Sequence, residues 1–141
     1  MPLPGIRYFS EQIRFSLPHP RKTRHWIKRV IGLEKATPGE INYVFGRDQY
    51  LLKINKQYLN HMSYTDIITF DNSVVPGVIS ADIYISIDRV RENAEKYQTS
   101  FDEEIHRVMV HGILHLLGYS DKTKRKKDRM TKKEDAYLSL R

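Results

Sequence analysis

The chain contains no cysteine. Disulfides, zinc ribbons and thiol nucleophiles are therefore excluded, and any metal ion has to be held by histidine and carboxylate ligands. Long apolar runs are missing too: none approaches the roughly 18–20 residues that a membrane-spanning helix needs. The opening "MPLPGIRYFS" lacks the basic and then apolar regions of a secretory signal. A cytoplasmic protein without membrane contact is expected. There are no internal repeats, no low-complexity tracts and no obvious linker. The length of 141 residues, with 40% hydrophobic and 29% charged, suits one folded domain spanning 1–141 with a buried core.

What the chain does have is positive charge. Its formal net charge is +7, which favours a polyanionic partner, because basic surface attracts phosphate backbones and releases their counterions. The charge is uneven. "KTKRKKDRMTKK", residues 122–133, carries eight of the 24 Lys and Arg residues, and "PRKTRHWIKR", residues 20–29, carries five more. Either run by itself reads equally well as a solvated helix face. The larger one directly follows the most distinctive motif of the chain.

Periodicity gives an alternating order of elements. "IRYFSEQIRFSL" reads as a strand with an irregular end, and "RKTRHWIKRVIGLE" spaces Trp26, Ile27, Val30 and Leu33 as a helix does. "EINYVFG" alternates Ile41, Tyr43 and Phe45. Asp48 is placed to cap a helix over "QYLLKINKQYLN", with Tyr50, Leu51, Ile54 and Tyr58 on its apolar face. "DIITFD" and "ISADIYISI" are strands by their Ile and aromatic content, and three helical segments follow. The order β-α-β-α-β-β-α-α-α predicts an α+β fold: one compact domain with a small mixed sheet of about four strands, packed with helices.

The central helix, within "SFDEEIHRVMVHGILHLLGYSD", carries the chemistry. Ser100 is a good N-cap, Glu103 stands at the capping-box position, and Gly118 is placed to end the helix in a left-handed conformation. Between these ends the helix is apolar except for His111 and His115, one turn apart on one face and near enough to share a metal ion. Gly118 lets the chain reverse, so Asp121 can return as a third ligand. Two core histidines satisfied by backbone carbonyls, with an exposed aspartate, remain the alternative. That reading leaves the placement of the glycine unexplained.

On these residues the chain resembles the YbeY family of bacterial ribosomal RNA maturation factors, described as metal-dependent endoribonucleases. The family signature His-Gly-x-Leu-His-Leu-x-Gly-Tyr-x-His is matched by "HGILHLLGYSD" in all but its last residue. "INKQYLNHMSYTDIITFD" is similar to a second family segment through Asn55, Tyr58, Thr65, Asp66 and Phe70, and "ADIYIS" to a third through Asp82, Ile83 and Ser86. The resemblance implies a single-strand endoribonuclease acting at the 3′ end of the small-subunit ribosomal RNA, in ribosome assembly and quality control. Ribosomal RNA, the small subunit, and ribosomal proteins or an assembly GTPase would be its partners. His111, His115 and Asp121 would hold one divalent ion, zinc, and serve catalysis by lowering the pKa of a water. Lys124, Arg125, Lys126 and Lys127 would contact RNA.

Two positions depart from the family. Asp121 replaces its third metal-binding histidine, and the arginine that its members are thought to use near RNA falls at Leu59, which cannot hold a phosphate. His61 or Lys56 are the neighbours able to substitute. Two alternatives stay open: a non-catalytic RNA-binding assembly factor with a structural metal, and a metzincin-like zinc peptidase. The peptidase needs a glutamate after the first histidine, where this chain has Gly112. His106 is expected off the metal face, in a surface or capping role. Trp26, Tyr43, Tyr50 and Tyr58 are expected on core faces. Asp66 and Asp82 are unusual carboxylates in strands, suited to bonding loop amides or supporting a metal-bound histidine.

Overall fold

The computed structural model of the chain describes residues 5–59 and 65–141. Its strands are β1 (Ile6–Ser10), β2 (Thr37–Gly46), β3 (Ile67–Asp71) and β4 (Val78–Ser86). They form a mixed sheet in the order β1-β2-β4-β3, with β1 and β4 parallel to β2 and β3 antiparallel to β4. The helices are α1 (Pro20–Leu33), α2 (Asp48–Ile54), α3 (Ile87–Lys96), α4 (Phe101–Leu116) and α5 (Lys124–Leu138). The α+β class, the strand count and the order of elements among the described residues match the expectation from periodicity.

Alternation sets the two faces of the sheet. Ile41, Tyr43 and Phe45 of β2 and Ile79, Ala81, Ile83 and Ile85 of β4 are all buried on one side, because every second side chain of a strand points the same way. Against this face pack the apolar stripes of α1 (Trp26, Ile27, Val30, Ile31) and α4 (Ile105, Val108, Met109, Ile113). Burying each such side chain contributes about 1.5–3 kcal/mol. The buried Tyr43 hydroxyl donates to the Met109 carbonyl at 3.1 Å, tying the middle of α4 to the sheet. Gly112 is where α4 comes nearest: a Cβ there would stand 2.8 Å from Ile67 Cδ1 and 3.4 Å from Thr69 Cγ2. Contact this close places α4 over β3 and β4, where the metal motif lies.

The opposite face is covered more thinly, by Leu51 and Ile54 of α2 against Ile68. Here the helix expected over residues 49–60 divides. After Ile54 the chain passes into a π-helical turn, Asn55–Leu59. Its i→i+5 bonds shift the phase of the residues that follow. Tyr58 is thereby turned outward and is 62% exposed, contrary to its expected place on the core face. Trp26 and Tyr43 are buried as expected, and Tyr50 is half-buried. Asp48 is not the cap of α2. Arg47 is the N-cap residue, and the Asp48 carboxylate instead accepts from Ser86 Oγ (2.7 Å) and Arg89 Nε (3.2 Å) at the start of α3.

Candidate metal centre

Both ends of α4 are built as its sequence predicts. Ser100 Oγ accepts from the Glu103 amide at 3.0 Å, and Asp102, Glu103 and Glu104 place negative charge against the N-terminal end of the helix dipole. At the C-terminal end Gly118 has φ +103°, a conformation that favours glycine. The Gly118 amide donates to His115 O and the Tyr119 amide to Leu114 O, both at 3.0 Å, the paired bonds of a Schellman motif. This motif reverses the chain over the last turn of the helix.

The reversal brings Asp121 to the two histidines. Asp121 Oδ2 lies 3.6 Å from both His111 Nε2 and His115 Nε2. Ligand atoms of the three residues all fall within 4.8 Å of one another. Bonds of about 2.0–2.2 Å to a central ion place donors at such separations, so the group fits a divalent cation. The set is partly open to solvent: the side chains of His111, His115 and Asp121 are 22%, 36% and 41% exposed.

A fourth residue, which sequence reading missed, fixes the first histidine. Glu134, on α5 and nearly buried, accepts a hydrogen bond from His111 Nδ1 at 2.5 Å through Oε2, leaving Nε2 free to face Asp121. Arg107 Nη1 holds the other Glu134 oxygen at 3.0 Å, and Arg107 Nη2 reaches Asp135 at 2.7 Å. Its signal was there in "RMTKKEDAYL": α5 buries Met130, Glu134, Tyr137 and Leu138, and a glutamate sharing a helical stripe with core residues needs a partner. The turn has a similar anchor. Glu34, after α1, accepts from Tyr119 Oη (2.7 Å), Lys133 Nζ (3.2 Å) and the Tyr137 hydroxyl. Burial works against the Glu34 charge, but these donors outweigh it and hold its carboxyl below the usual range.

Beside His111 and Asp121 lies a cavity of about 180 Å³, also lined by Asp66, Glu104, Glu134 and Lys127. Burial disfavours the charged form of His111 more than any other single cause. The bond and charge of Glu134, helped by Asp66 and Asp121, overcome it, and the His111 pKa ends up raised. Burial raises Glu104 to about 7, with repulsion from Asp66, Glu134 and Glu103 adding to it and Arg107 opposing. Burial likewise raises Asp66, against the pull of His111 and of the amides of Asp66 and Ile67. Asp66 thus bonds loop amides and borders the His111 cavity. Asp82 does not: it accepts from Asn42 and Asn72 on the other face of the sheet.

The remaining expected residues divide. Lys124, Arg125, Lys126 and Lys127 are all exposed at the start of α5. Of these four, only Lys127 borders the cavity beside His111 and Asp121, while Lys126 lines a separate cavity with Tyr119 and Ser120. Leu59 is 41% exposed at the end of the π-helical turn. His61 lies outside the described residues. His106 is off the metal face as expected, but it is buried and not on the surface: it is 9% exposed, edge-on to Trp26, because α1 and α5 close over that side of α4.

Taken together, fold and site define a small α+β protein with a mixed sheet and a two-histidine, one-aspartate centre at the C-terminal end of its central helix. Residues 9–140 match the family model described as Endoribonuclease YbeY, and the chain belongs to that family. Proteins named Endoribonuclease YbeY from Cytophaga hutchinsonii and Christiangramia forsetii are 48% and 46% identical to it. The first match covers 96% of this chain and 95% of the relative, the second 96% and 93%. Among solved structures, the solution structure of TM1509 from Thermotoga maritima shares the fold, with a TM-score of 0.66 at 23% identity over 94% of this chain and 86% of that one.

Proposed function

We propose that this chain is a metal-dependent endoribonuclease that cleaves single-stranded RNA, with His111, His115 and Asp121 as its metal ligands. The observation that carries the reading is the convergence of these donors within 4.8 Å, inside the stretch of residues 9–140 that matches the family model. A divalent cation bound there, zinc by its preference for two imidazoles and a carboxylate, supplies Lewis acidity toward a phosphoryl oxygen and acidifies a water molecule. The chain's own residues do the rest. Glu134 holds the proton of His111 on Nδ1 and so presents Nε2 to the ligand position. Glu104, titrating at about 7 on the wall of the same cavity, is able to take or give a proton near neutral pH. Lys127 supplies positive charge for a backbone phosphate, and the rest of the basic start of α5 extends that track.

In this reading the substrate is precursor ribosomal RNA at the 3′ end of the small-subunit species. The partners are the assembling small subunit with its ribosomal proteins or an assembly GTPase, and the site of action is the cytoplasm. The peptidase alternative lacks its base, since position 112 is a glycine packed closely against Ile67, Thr69 and Ile83 of the sheet, with no carboxylate to activate water. A non-catalytic RNA binder is favoured by one observation, the apolar Leu59 where relatives are thought to use an arginine. Metal content of the purified chain, measured alongside cleavage of single-stranded RNA with and without chelator, tests the proposal. About one equivalent of zinc and chelator-sensitive cleavage are expected. Metal-free protein that cleaves RNA regardless of chelator would overturn the mechanism, and metal-loaded protein that binds RNA without cutting it would make the chain a binder.

A further inference from the structure

On the far side of α4, His106 forms the floor of a second cavity, of about 290 Å³, lined also by His19, Lys22, Thr23, Asp102 and Arg141. His106 is five residues before His111 and so about 140° around the helix. Three elements contribute to the lining. His19 and Lys22 come from the start of α1, His106 from α4, and Arg141 from beyond the end of α5. The hydrogen bonds within the cavity set the direction of each donor. Arg141 Nη1 donates to His106 Nδ1 at 2.7 Å. The other ring nitrogen, Nε2, therefore carries the proton of the neutral ring and donates to Thr23 Oγ1 at 3.3 Å. Thr23 Oγ1 donates in turn to His19 O at 3.1 Å. Asp102 is the one acid of the lining, 3.3 Å from Arg141 Nη1 and 3.7 Å from His106 Nδ1. It is 58% exposed and neutralises only part of the positive charge.

The start of α1 adds to this. His19, its N-cap residue, is left-handed at φ 51° and makes no side-chain cap bond, and Pro20 brings no amide. The Thr23 amide closes the first turn on His19 O at 3.1 Å, so the amides of Arg21 and Lys22 before it face out of the helix end with the positive pole of its dipole. A lysine and a guanidinium lining one cavity beside the start of α1 suit an anion with several oxygens, the geometry of phosphate, and His106, both of whose ring nitrogens are engaged, reports on the cavity without bonding the anion.

We propose that this cavity is a phosphate-binding site, separate from the His111–His115–Asp121 centre, that takes a phosphate group from an RNA chain or from a free phosphate ester. The site stands on residues that the proposed cleavage does not use. It also gives a role to Lys22, from the basic run 20–29 that the metal centre leaves aside.

The experiment follows the His106 imidazole of the full chain by proton–nitrogen NMR, at constant pH and ionic strength. Inorganic phosphate is titrated in one arm, and short single-stranded RNA with and without a terminal phosphate in the other. A saturable shift of the His106 signals is expected. Lys22→Gln, which touches no hydrogen-bonded partner among the described residues, should weaken binding about ten-fold, the value of one charge-assisted contact. Lys22→Gln with Arg141→Gln should abolish it, while His115→Ala should leave it intact. Response to inorganic phosphate and to end-phosphorylated RNA alone assigns the site to terminal or free phosphate; response to RNA of either kind but not to inorganic phosphate assigns it to the backbone. No His106 shift with any probe, or an unchanged shift in the folded double variant, would overturn the proposal.

Discussion

His106 and His111 stand on the same helix, both largely shielded from water, and their titrations move in opposite directions. Burial disfavours the imidazolium in each. At His106 nothing compensates fully: Asp102 favours the charge, but Arg141, His19 and Lys22 repel it, and the pKa falls below 6.5. At His111 the carboxylate of Glu134 accepts from Nδ1, Asp66 and Asp121 lie close, and the pKa rises above 6.5. The same residue type, five positions on, faces a cationic cavity on one side of α4 and an anionic one on the other. Burial sets the cost of charge, and the partner from another helix sets its sign.

The most damaging way to break this contrast is Glu134→Ala. It strips His111 of its acceptor and leaves Arg107 facing a buried gap, so a loss of about 2–3 kcal/mol is expected in chemical denaturation, in line with hydrogen bonds to charged groups. Metal affinity should fall about 10–100-fold, as for other residues that orient a metal-bound histidine. By NMR, His111 should then titrate lower than in the parent, moving toward the behaviour of His106. A His111 titration unmoved by the change would mean that Glu134 is not what sets it.

Glu104 sharpens the contrast from the acidic side. Its folded pKa of about 7 lies above the usual value of 4.5, so its contribution to stability is present at low pH and is lost as pH rises through about 7. Glu104→Gln should therefore stabilise the chelator-treated protein by about 1–3 kcal/mol at pH 8 and by much less at pH 4. Thermal melts at the two pH values provide the check, and equal shifts at both would contradict it. The histidines of the same metal-free protein follow the same linkage with opposite signs. The His111 contribution is present below 6.5 and fades as pH rises through its folded value, whereas the His106 contribution is present above 6.5 and fades as pH falls through its own.

Asp121 tests the site with little cost to the fold, being an exposed turn residue. Asp121→Ala should change stability by less than about 0.5 kcal/mol yet lower zinc affinity markedly in a competition titration. Asp121→His should retain binding, and Asp121→Asn should fall between. Equal affinity in all three would make Asp121 a turn residue only. The smallest effect on the fold belongs to the basic run. Replacing Lys124, Arg125, Lys126 and Lys127 with Gln should leave melting and metal content unchanged and flatten the salt dependence of RNA binding. On a single strand the slope should drop by about 0.7 for each phosphate that is no longer neutralised. An unaltered slope would reduce the run to a solvated face.

Much of the fold and of the centre was legible along the chain because its signals are local. Ser100 and Gly118 mark the ends of α4, i,i+4 spacing aligns His111 with His115, and alternation in β2 and β4 names the buried face of the sheet. The misreadings arose where local rules were overridden by neighbours. Tyr58 follows helical period on paper, but the π-helical turn rotates it outward. Asp48 has the composition of a cap, yet Ser86 and Arg89 of another segment claim its carboxylate. His106 looked like a surface residue because nothing within α4 says that α1 and α5 close over it.

The sequence by itself determined the order of elements, the two faces of the sheet and the reversal at Gly118, and it named His111, His115 and Asp121 as the candidate donor set. Each of these depends on residues within a few positions of one another, where backbone geometry leaves few choices. Only the tertiary structure decided that Glu134, 23 residues beyond His111, orients that ring, and that Glu34, 85 residues before Tyr119, anchors the turn carrying Asp121. It also decided that two histidines of one helix carry opposite electrostatic surroundings. A charge in a low-dielectric interior responds to whatever lies a few ångströms away in space, and helix packing, which no local pattern encodes, chooses those neighbours.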